Sequence, residues 1–187
     1  MRAGAENTEE TATLAEVLGT TRHMSGLLRK IQNLAGQRDP ANCLKELAVR
    51  RGCRHYEGSF PATTVSPAAE KLTDEEVGVG LCLGQLTYDP LNIRVGAELL
   101  SAESCRPKAI AFLARQERCE TVIGYVARCG AKVEPENQKW RELLAELGRV
   151  SSPPSGALPH WTRFVSMTGI TRGGGPDTKW LRPKRPA

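Results

Sequence analysis

Aromatic side chains are scarce in this chain of 187 residues, which contains three Trp, three Tyr and three Phe. A core of this composition has to be built mostly from Leu, Val, Ile and Ala, as helix packing allows. The composition therefore disfavours a large β-sandwich. At roughly 100 to 200 residues per domain, the length indicates one domain with a tail rather than two full domains.

The sequence also lacks long apolar runs. No stretch approaches the roughly 20 apolar residues that span a bilayer, and residues 1–18 carry four glutamates without the apolar region of a secretory signal. The cysteines are too dilute for a disulfide-stabilised miniprotein, and several lie in apolar helical patterns. We therefore expect a cytoplasmic protein with reduced thiols and no membrane contact. The six cysteines are Cys43, Cys53, Cys82, Cys105, Cys119 and Cys129.

The net charge of +5 is unevenly distributed along the chain. Residues 1–148 contain 19 basic and 20 acidic groups, a net charge of −1. Residues 149–187 contain seven basic groups and the single acid Asp177, a net charge of +6. All of the excess positive charge therefore lies in the last fifth of the chain, where we expect contact with an acidic partner.

Helical signals begin near the N-terminus. Apolar residues recur at a spacing of three and four between residues 8 and 34, which predicts one helix or two short ones with a break at Gly19. An Asp-Pro pair at positions 39–40 predicts a further helix that ends at Gly52. Residues 53–71 contain two prolines and a Ser/Thr cluster without a sustained period, which indicates a connector.

Five short helices are predicted between residues 72 and 148. Capping residues and prolines suited to a first helical turn mark most of the starts, and glycines mark the ends. Connections of two to six residues imply antiparallel neighbours. The alternation resembles the helical arrays of HEAT and armadillo proteins in architecture, although no residue pattern recurs at a period of about 40. The predicted starts are Thr73, Asp89, Ser104 with Pro107, Cys119 and Pro135, and two predicted ends are Gly130 and Gly148.

The sequence thus predicts a mainly α protein, a small array of short antiparallel helices with a basic, Gly- and Pro-rich C-terminal tail. The predicted segments are an N-terminal helical segment (1–52), a connector (53–71), a helical body (72–148) and the tail (149–187). Apolar side chains recur between positions 161 and 171 of the tail. We expect a strand or an extended docking segment there, folded back onto the helices, because a single strand is unstable alone.

The tail carries the strongest functional signal. Cations interleaved with aromatic side chains supply both phosphate neutralisation and flat faces on which unpaired bases stack. We expect a non-enzymatic helical binding or scaffold protein whose tail contacts a polyanion, RNA or DNA, or an acidic protein, without a cofactor. The alternatives for the tail are a solubilising end and a segment that wraps an acidic face of the helices. The candidate contact residues are Arg163, Arg172, Lys179, Trp180, Arg182, Lys184 and Arg185.

A metal- or thiol-dependent enzyme is the alternative from a different class. Cys53 and His55 form the only closely spaced Cys-His pair, and with Cys43 and His23 they are candidate zinc ligands, although the chain has no Cys-x-x-Cys. Cys53 is also the best candidate nucleophile, because the neighbouring Arg54 favours a thiolate. A third hypothesis is a structural subunit of a larger assembly, with the tail as its docking peptide.

The glycine-rich run 78–84 does not have the pattern of a dinucleotide-binding loop. Its GxGxxxG spacing departs from GxGxxG, and it follows an acidic helix start rather than a strand. We expect instead that Gly80 and Gly84 allow two backbones to pack closely.

Overall fold

The computed structural model describes residues 12–55, 71–170 and 176–184. Within these ranges the chain forms eight α-helices and one two-stranded antiparallel sheet, so the mainly α prediction is confirmed. None of the described helices combines the length and the apolar character needed to cross a bilayer. Of the predicted connector, residues 56–70 lie outside the described ranges. The elements are α1 (Leu14–Val17), α2 (Gly26–Ala35), α3 (Pro40–Arg50), α4 (Asp74–Gly80), α5 (Pro90–Leu100), α6 (Pro107–Gln116), α7 (Glu120–Val133), α8 (Gln138–Leu147), β1 (Val165–Ile170) and β2 (Pro176–Trp180).

Several helix starts follow the capping chemistry that the sequence predicts. Thr73 and Glu76 form a reciprocal capping box at α4. The Glu76 amide donates to the Thr73 hydroxyl at 3.1 Å, and the Thr73 amide donates to the Glu76 carboxylate at 2.8 Å. Asp39 and Asp89 cap α3 and α5, and a proline occupies the first turn of each helix. These side chains supply acceptors for amides that have no partner within the helix.

The predicted start of the last helix at Pro135 is wrong. α8 begins at Gln138, because the Asn137 side chain caps the helix by accepting a hydrogen bond from an amide of the first turn at 3.1 Å. α6 begins at Pro107 as expected. Ser104 does not cap it, however, since its hydroxyl donates to the Asp74 carboxylate. A short polar side chain in a loop can therefore cap a helix or bind another residue, and the local sequence does not show which of the two occurs.

Gly130 does not end α7, contrary to the prediction. The helix continues to Val133, and Gly130 lies within it against the indole of Trp140 on α8. A Cβ at Gly130 would be 2.5 Å from the Cδ2 atom of this buried ring. The glycine therefore allows α7 and α8 to pack closely, a different role from that of a helix stop.

The glycines of the run 78–84 lie at tertiary contacts, but the close approach of two helix backbones is at Gly78 rather than at Gly80, which faces side chains. α4 and α5 approach closely at Gly78 and Gly96, where a Cβ on Gly96 would be 2.9 Å from the Gly78 carbonyl oxygen. A Cβ on Gly80 would be 2.9 Å from an α2 side chain, and one on Gly84 would be 3.2 Å from an α1 side chain. Close packing in this region therefore depends on the absence of side chains.

One hydrophobic core joins the helices to the C-terminal segment. It extends from Leu14 in α1 to Trp180 in β2 and includes Leu158 and Phe164 from the predicted tail. α4 packs against α3, α5 and α6, and α8 packs against α6 and α7. Because the C-terminal segment contributes to the same core, it is part of the folded body rather than an appendage.

β1 and β2 form a hairpin whose inner end is anchored in the core. Val165 pairs with Trp180 at this end. The Trp180 ring packs between Phe164, at a centroid distance of 5.2 Å, and Trp140, at 5.0 Å. Its Nε1 donates a hydrogen bond to the Ala97 carbonyl of α5 at 3.3 Å. The expected extended docking segment is present, and aromatic packing holds it.

Candidate functional site

The loop after α3 and the C-terminal segment meet on one face of α5. The buried Glu98 carboxylate holds the loop by accepting hydrogen bonds from the amides of Arg54, at 2.8 Å, and His55, at 3.1 Å. One helical turn earlier, Arg94 Nη2 lies 3.2 Å from His55 Nδ1, and Arg94 Nε donates to the Arg163 carbonyl at 3.2 Å. Adjacent turns of α5 therefore position two segments that are far apart in the sequence.

The last described residues run along the same loop. The Lys184 amide donates to the Gly52 carbonyl at 2.8 Å. Gly52 has a φ of 93°, and a Cβ there would be 2.6 Å from the Lys184 carbonyl carbon, so a side chain does not fit. Arg54 donates to the Arg182 carbonyl at 3.5 Å, and the hydroxyl of Ser101, which follows α5, lies 3.3 Å from the Leu181 carbonyl oxygen. These contacts fix the C-terminal backbone against the helices.

Three arginines lie around this junction. Arg94 contacts the Arg163 backbone, and the charges of Arg94 and Arg54 both act on His55. We call Arg54, Arg94 and Arg163 the basic cluster. Burial lowers the pKa of Arg94, and the charge of Arg163 lowers it further, while Asp89 and Glu98 act in the opposite direction. Arg54 and Arg163 are exposed, whereas Arg94 is half-buried. The structure therefore holds like charges within interaction range at an accessible surface.

His55 is neutral at pH 7. Burial lowers its pKa to about 4, with smaller contributions from the charges of Arg94 and Arg54. Because a guanidinium group only donates hydrogen bonds, Nδ1 is the acceptor from Arg94, and the ring proton lies on Nε2. Nε2 is buried and has no hydrogen-bond partner among the described residues. His55 therefore organises the arginines without adding charge to them.

The predicted polyanion contacts fall into distinct environments. Arg163, Lys179 and Lys184 are exposed, and none of the three forms a salt bridge with a carboxylate in the described part of the chain. Arg172 and Arg185 lie outside the described residues. The three exposed cations keep their charge available to an external partner.

Two other predicted contacts are engaged within the protein. Arg182 is exposed, but its Nη2 lies 2.6 Å from the Glu134 carboxylate at the end of α7. Trp180 is buried, so its ring has no face available to an unpaired base. The expectation that Trp180 stacks on bases is therefore wrong. Trp180 is a core anchor, because burial of its aromatic surface stabilises the fold.

The outer half of the hairpin is uncovered. Met167 is 74% exposed and Ile170 is 77% exposed, and the residues between them are exposed as well. The Thr168 hydroxyl donates to the Asp177 carboxylate across the hairpin at 2.7 Å. The described sheet has only two strands, so both of its outer edges are unpaired. The hairpin thus extends as a narrow ribbon from the side of the basic cluster.

The candidate thiol and metal ligands do not assemble into a site in the described residues. Cys43 and Cys53 are buried, and burial raises the pKa of the Cys43 thiol. No group of three or more His, Cys, Asp or Glu side chains that could hold a metal ion occurs in residues 12–55, 71–170 and 176–184. In this structure, His55 interacts with Arg94 through its Nδ1.

Arg94 is not among the site residues expected from the sequence. Its position inside α5 carries no local signal, since an arginine on a helix is usually a solvated surface residue. The informative pattern is the pair Arg94 and Glu98, which are spaced four residues apart on one helix face. Here Arg94 contacts both the loop and the tail, and Glu98 contacts the loop.

Comparisons with known proteins do not assign the chain to a family. No protein-family model matches the chain, and searches of curated proteins and of solved structures find no significant match. Its function is therefore inferred from the geometry of the site.

Proposed function

We propose that this protein is a non-enzymatic helical scaffold that binds a DNA duplex through its hairpin and its basic cluster. The observation that carries the proposal is that Arg94 lies beside Arg163, and that Arg54 and Arg94 both act on His55, next to an exposed hairpin. Like charges held close together repel each other, and a polyanion offsets that repulsion. A regular array of phosphates is the partner whose charge best complements such a surface.

The arrangement favours a duplex over a single strand. Binding of single strands relies on exposed aromatic faces for base stacking, but Phe164 and Trp180 are buried, and Trp161 is half-buried with Lys132 and His160 against its ring. A two-stranded β-ribbon fits the major groove of B-DNA. The hairpin presents Met167 and Ile170 as exposed apolar side chains, which suit contacts with base edges or base steps. In this mode Arg163 and Lys179 contact phosphates and fix the position of the protein on the duplex.

Fluorescence anisotropy of the full chain with a short labelled DNA duplex tests this proposal. We expect Arg163→Gln and Lys179→Gln each to weaken binding and to reduce the slope of log K against log salt by about 1, because each removes one phosphate contact. Arg29→Gln is the matched control, since Arg29 is exposed on α2, which packs against α3 and α4. Binding that does not depend on salt, or equal effects of all three substitutions, would contradict the proposal.

Point substitutions test the role of the tail in DNA binding more cleanly than a deletion of residues 171–187. That deletion removes Trp180 together with the cations, so a loss of binding would also report a damaged core. An acidic protein is the competing partner for the same surface. Failure to bind the duplex, together with an acidic protein that co-purifies after nuclease treatment, would show that the surface docks a protein instead.

A cytoplasmic location is part of the proposal. All six cysteines are buried, and none forms a disulfide in the structure. Thiols stay reduced in the cytosol, whereas secreted proteins usually pair them. Cell fractionation with an antibody against the chain tests this location.

A further inference from the structure

A cavity of about 490 Å³ lies between α7 and residues 152–161. Its volume falls in the range of small-molecule sites, about 300 to 1,000 Å³. Buried Cys129 and Leu158 line it together with Tyr125 and the half-buried Trp161. The Tyr125 hydroxyl donates to the Pro159 carbonyl at 2.8 Å and holds the outer wall against α7. The cavity is therefore preformed and partly apolar.

The ionisable groups at this cavity are mainly basic. Arg128 and Lys132 lie one turn apart on α7, His160 lies on the opposite wall, and no Asp or Glu lines the cavity. Neither Arg128 nor Lys132 forms a salt bridge within the described residues. Arg128 Nη2 is buried and has no hydrogen-bond partner among them. A buried guanidinium nitrogen without an acceptor is costly, and an anion bound at the accessible part of the same group would offset that cost through its charge.

The cations adjoin a flat apolar surface. Lys132 Nζ lies 5.0 Å from the centroid of the Trp161 ring, and the His160 ring centroid lies 5.5 Å from that of Trp161. Leu158 and Trp161 thus form an apolar wall next to two positive charges. A ligand that matches this arrangement joins an anionic group to an apolar ring.

We propose that this cavity binds a small aromatic phosphate monoester. Arg128 and Lys132 bind the phosphate, whose two negative charges match the two cations, and the ring packs against Leu158 and Trp161. A guanidinium donates two parallel hydrogen bonds to phosphate oxygens, which also orients the ligand. The site uses no residue of the hairpin or of the basic cluster, so it stands independently of DNA binding.

Titration of the full chain with phenyl phosphate, followed by tryptophan fluorescence, tests the proposal. Trp161 is the reporter, because Trp140 and Trp180 are 0% and 2% exposed. We expect a saturable signal, and we expect Arg128→Met to weaken binding about tenfold or more through the loss of a charge-assisted contact. Arg141→Met is the matched control, because Arg141 is exposed on α8 and does not line the cavity. This variant should bind phenyl phosphate with the affinity of the wild type.

Two further measurements keep the test decisive. Benzyl alcohol, which has the ring but no charge, should bind at least tenfold more weakly than phenyl phosphate. Lys132→Met repeats the test at an exposed position and replaces Arg128→Met if circular dichroism shows that this variant does not fold. No saturable binding of phenyl phosphate, equal binding of benzyl alcohol, or unchanged affinity in the folded variants would overturn the proposal.

Discussion

His55 makes the stability of the protein depend on pH at the level of a single residue. Its pKa is lowered from 6.5 to about 4, first by burial and then by Arg94 and Arg54. Between these values the unfolded chain binds a proton that the folded chain does not, so stability falls as the pH decreases from 6.5 towards 4. Well above pH 6.5 the ring is neutral in both states, and its contribution no longer changes with pH.

We therefore expect the wild type to lose about 1 kcal/mol more unfolding free energy than His55→Gln between pH 7 and pH 5, a figure reduced for the partial exposure of the ring. The glutamine keeps an acceptor near Arg94 but does not titrate. Urea unfolding of both proteins at the two pH values measures the difference. Equal losses in the two proteins would show that His55 is not the group responsible.

Gly130 illustrates a packing constraint that opposes helix propensity. Alanine is usually the better helix residue by about 1 kcal/mol, but a Cβ here would lie 2.5 Å from the buried Trp140 ring. Overpacking costs up to about 3 kcal/mol, and the gain in helix propensity offsets about 1 kcal/mol of it, so we expect Gly130→Ala to lower the unfolding free energy by up to about 2 kcal/mol. Gly26→Ala is the control, because a Cβ at Gly26 meets nothing within 4 Å. Thermal unfolding compares them, and an equal effect of both would rule out the steric explanation.

At the scale of the element, the hairpin depends on its anchor rather than on its own hydrogen bonds, since an isolated two-stranded hairpin is marginal in water. Trp180 is buried between Phe164 and Trp140. We expect Trp180→Ala to cost about 3 to 5 kcal/mol, whereas Met167→Ser, at an exposed position of the same hairpin, should stay within about 0.5 kcal/mol of the wild type. Urea unfolding measures both. A small effect at Trp180 would mean that the hairpin is not anchored in the core.

At the scale of the whole molecule, the shared core predicts one cooperative unfolding transition. Tryptophan fluorescence reports the contact between Trp180 and Trp140, where the C-terminal segment meets α8, while far-UV circular dichroism reports the helices. We expect the two signals to change at the same urea concentration. A fluorescence transition at lower urea than the circular dichroism transition would show that the C-terminal segment unfolds separately from the helices.

The helix starts at Thr73, Asp39 and Asp89 were predictable, because a capping side chain interacts with amides two or three positions away. Glycine was harder to interpret. Gly148 has a φ of 70° and ends α8 as predicted, whereas Gly130 lies inside α7 against Trp140. Both glycines follow an apolar helical pattern in the sequence. Only the contact of Gly130 with the Trp140 ring shows that the two have different roles.

The sequence by itself determined the mainly helical architecture and the position of the excess charge, because helix periodicity, capping and net charge are properties of short stretches of chain. Only the tertiary structure decided what the C-terminal cations lie beside and which aromatic side chains are exposed. It placed Arg163 next to Arg94, set Arg54 and Arg94 beside His55, and buried Trp180. The burial of a group and the charges around it depend on contacts between residues far apart in the chain. Local sequence patterns do not show which of these contacts form.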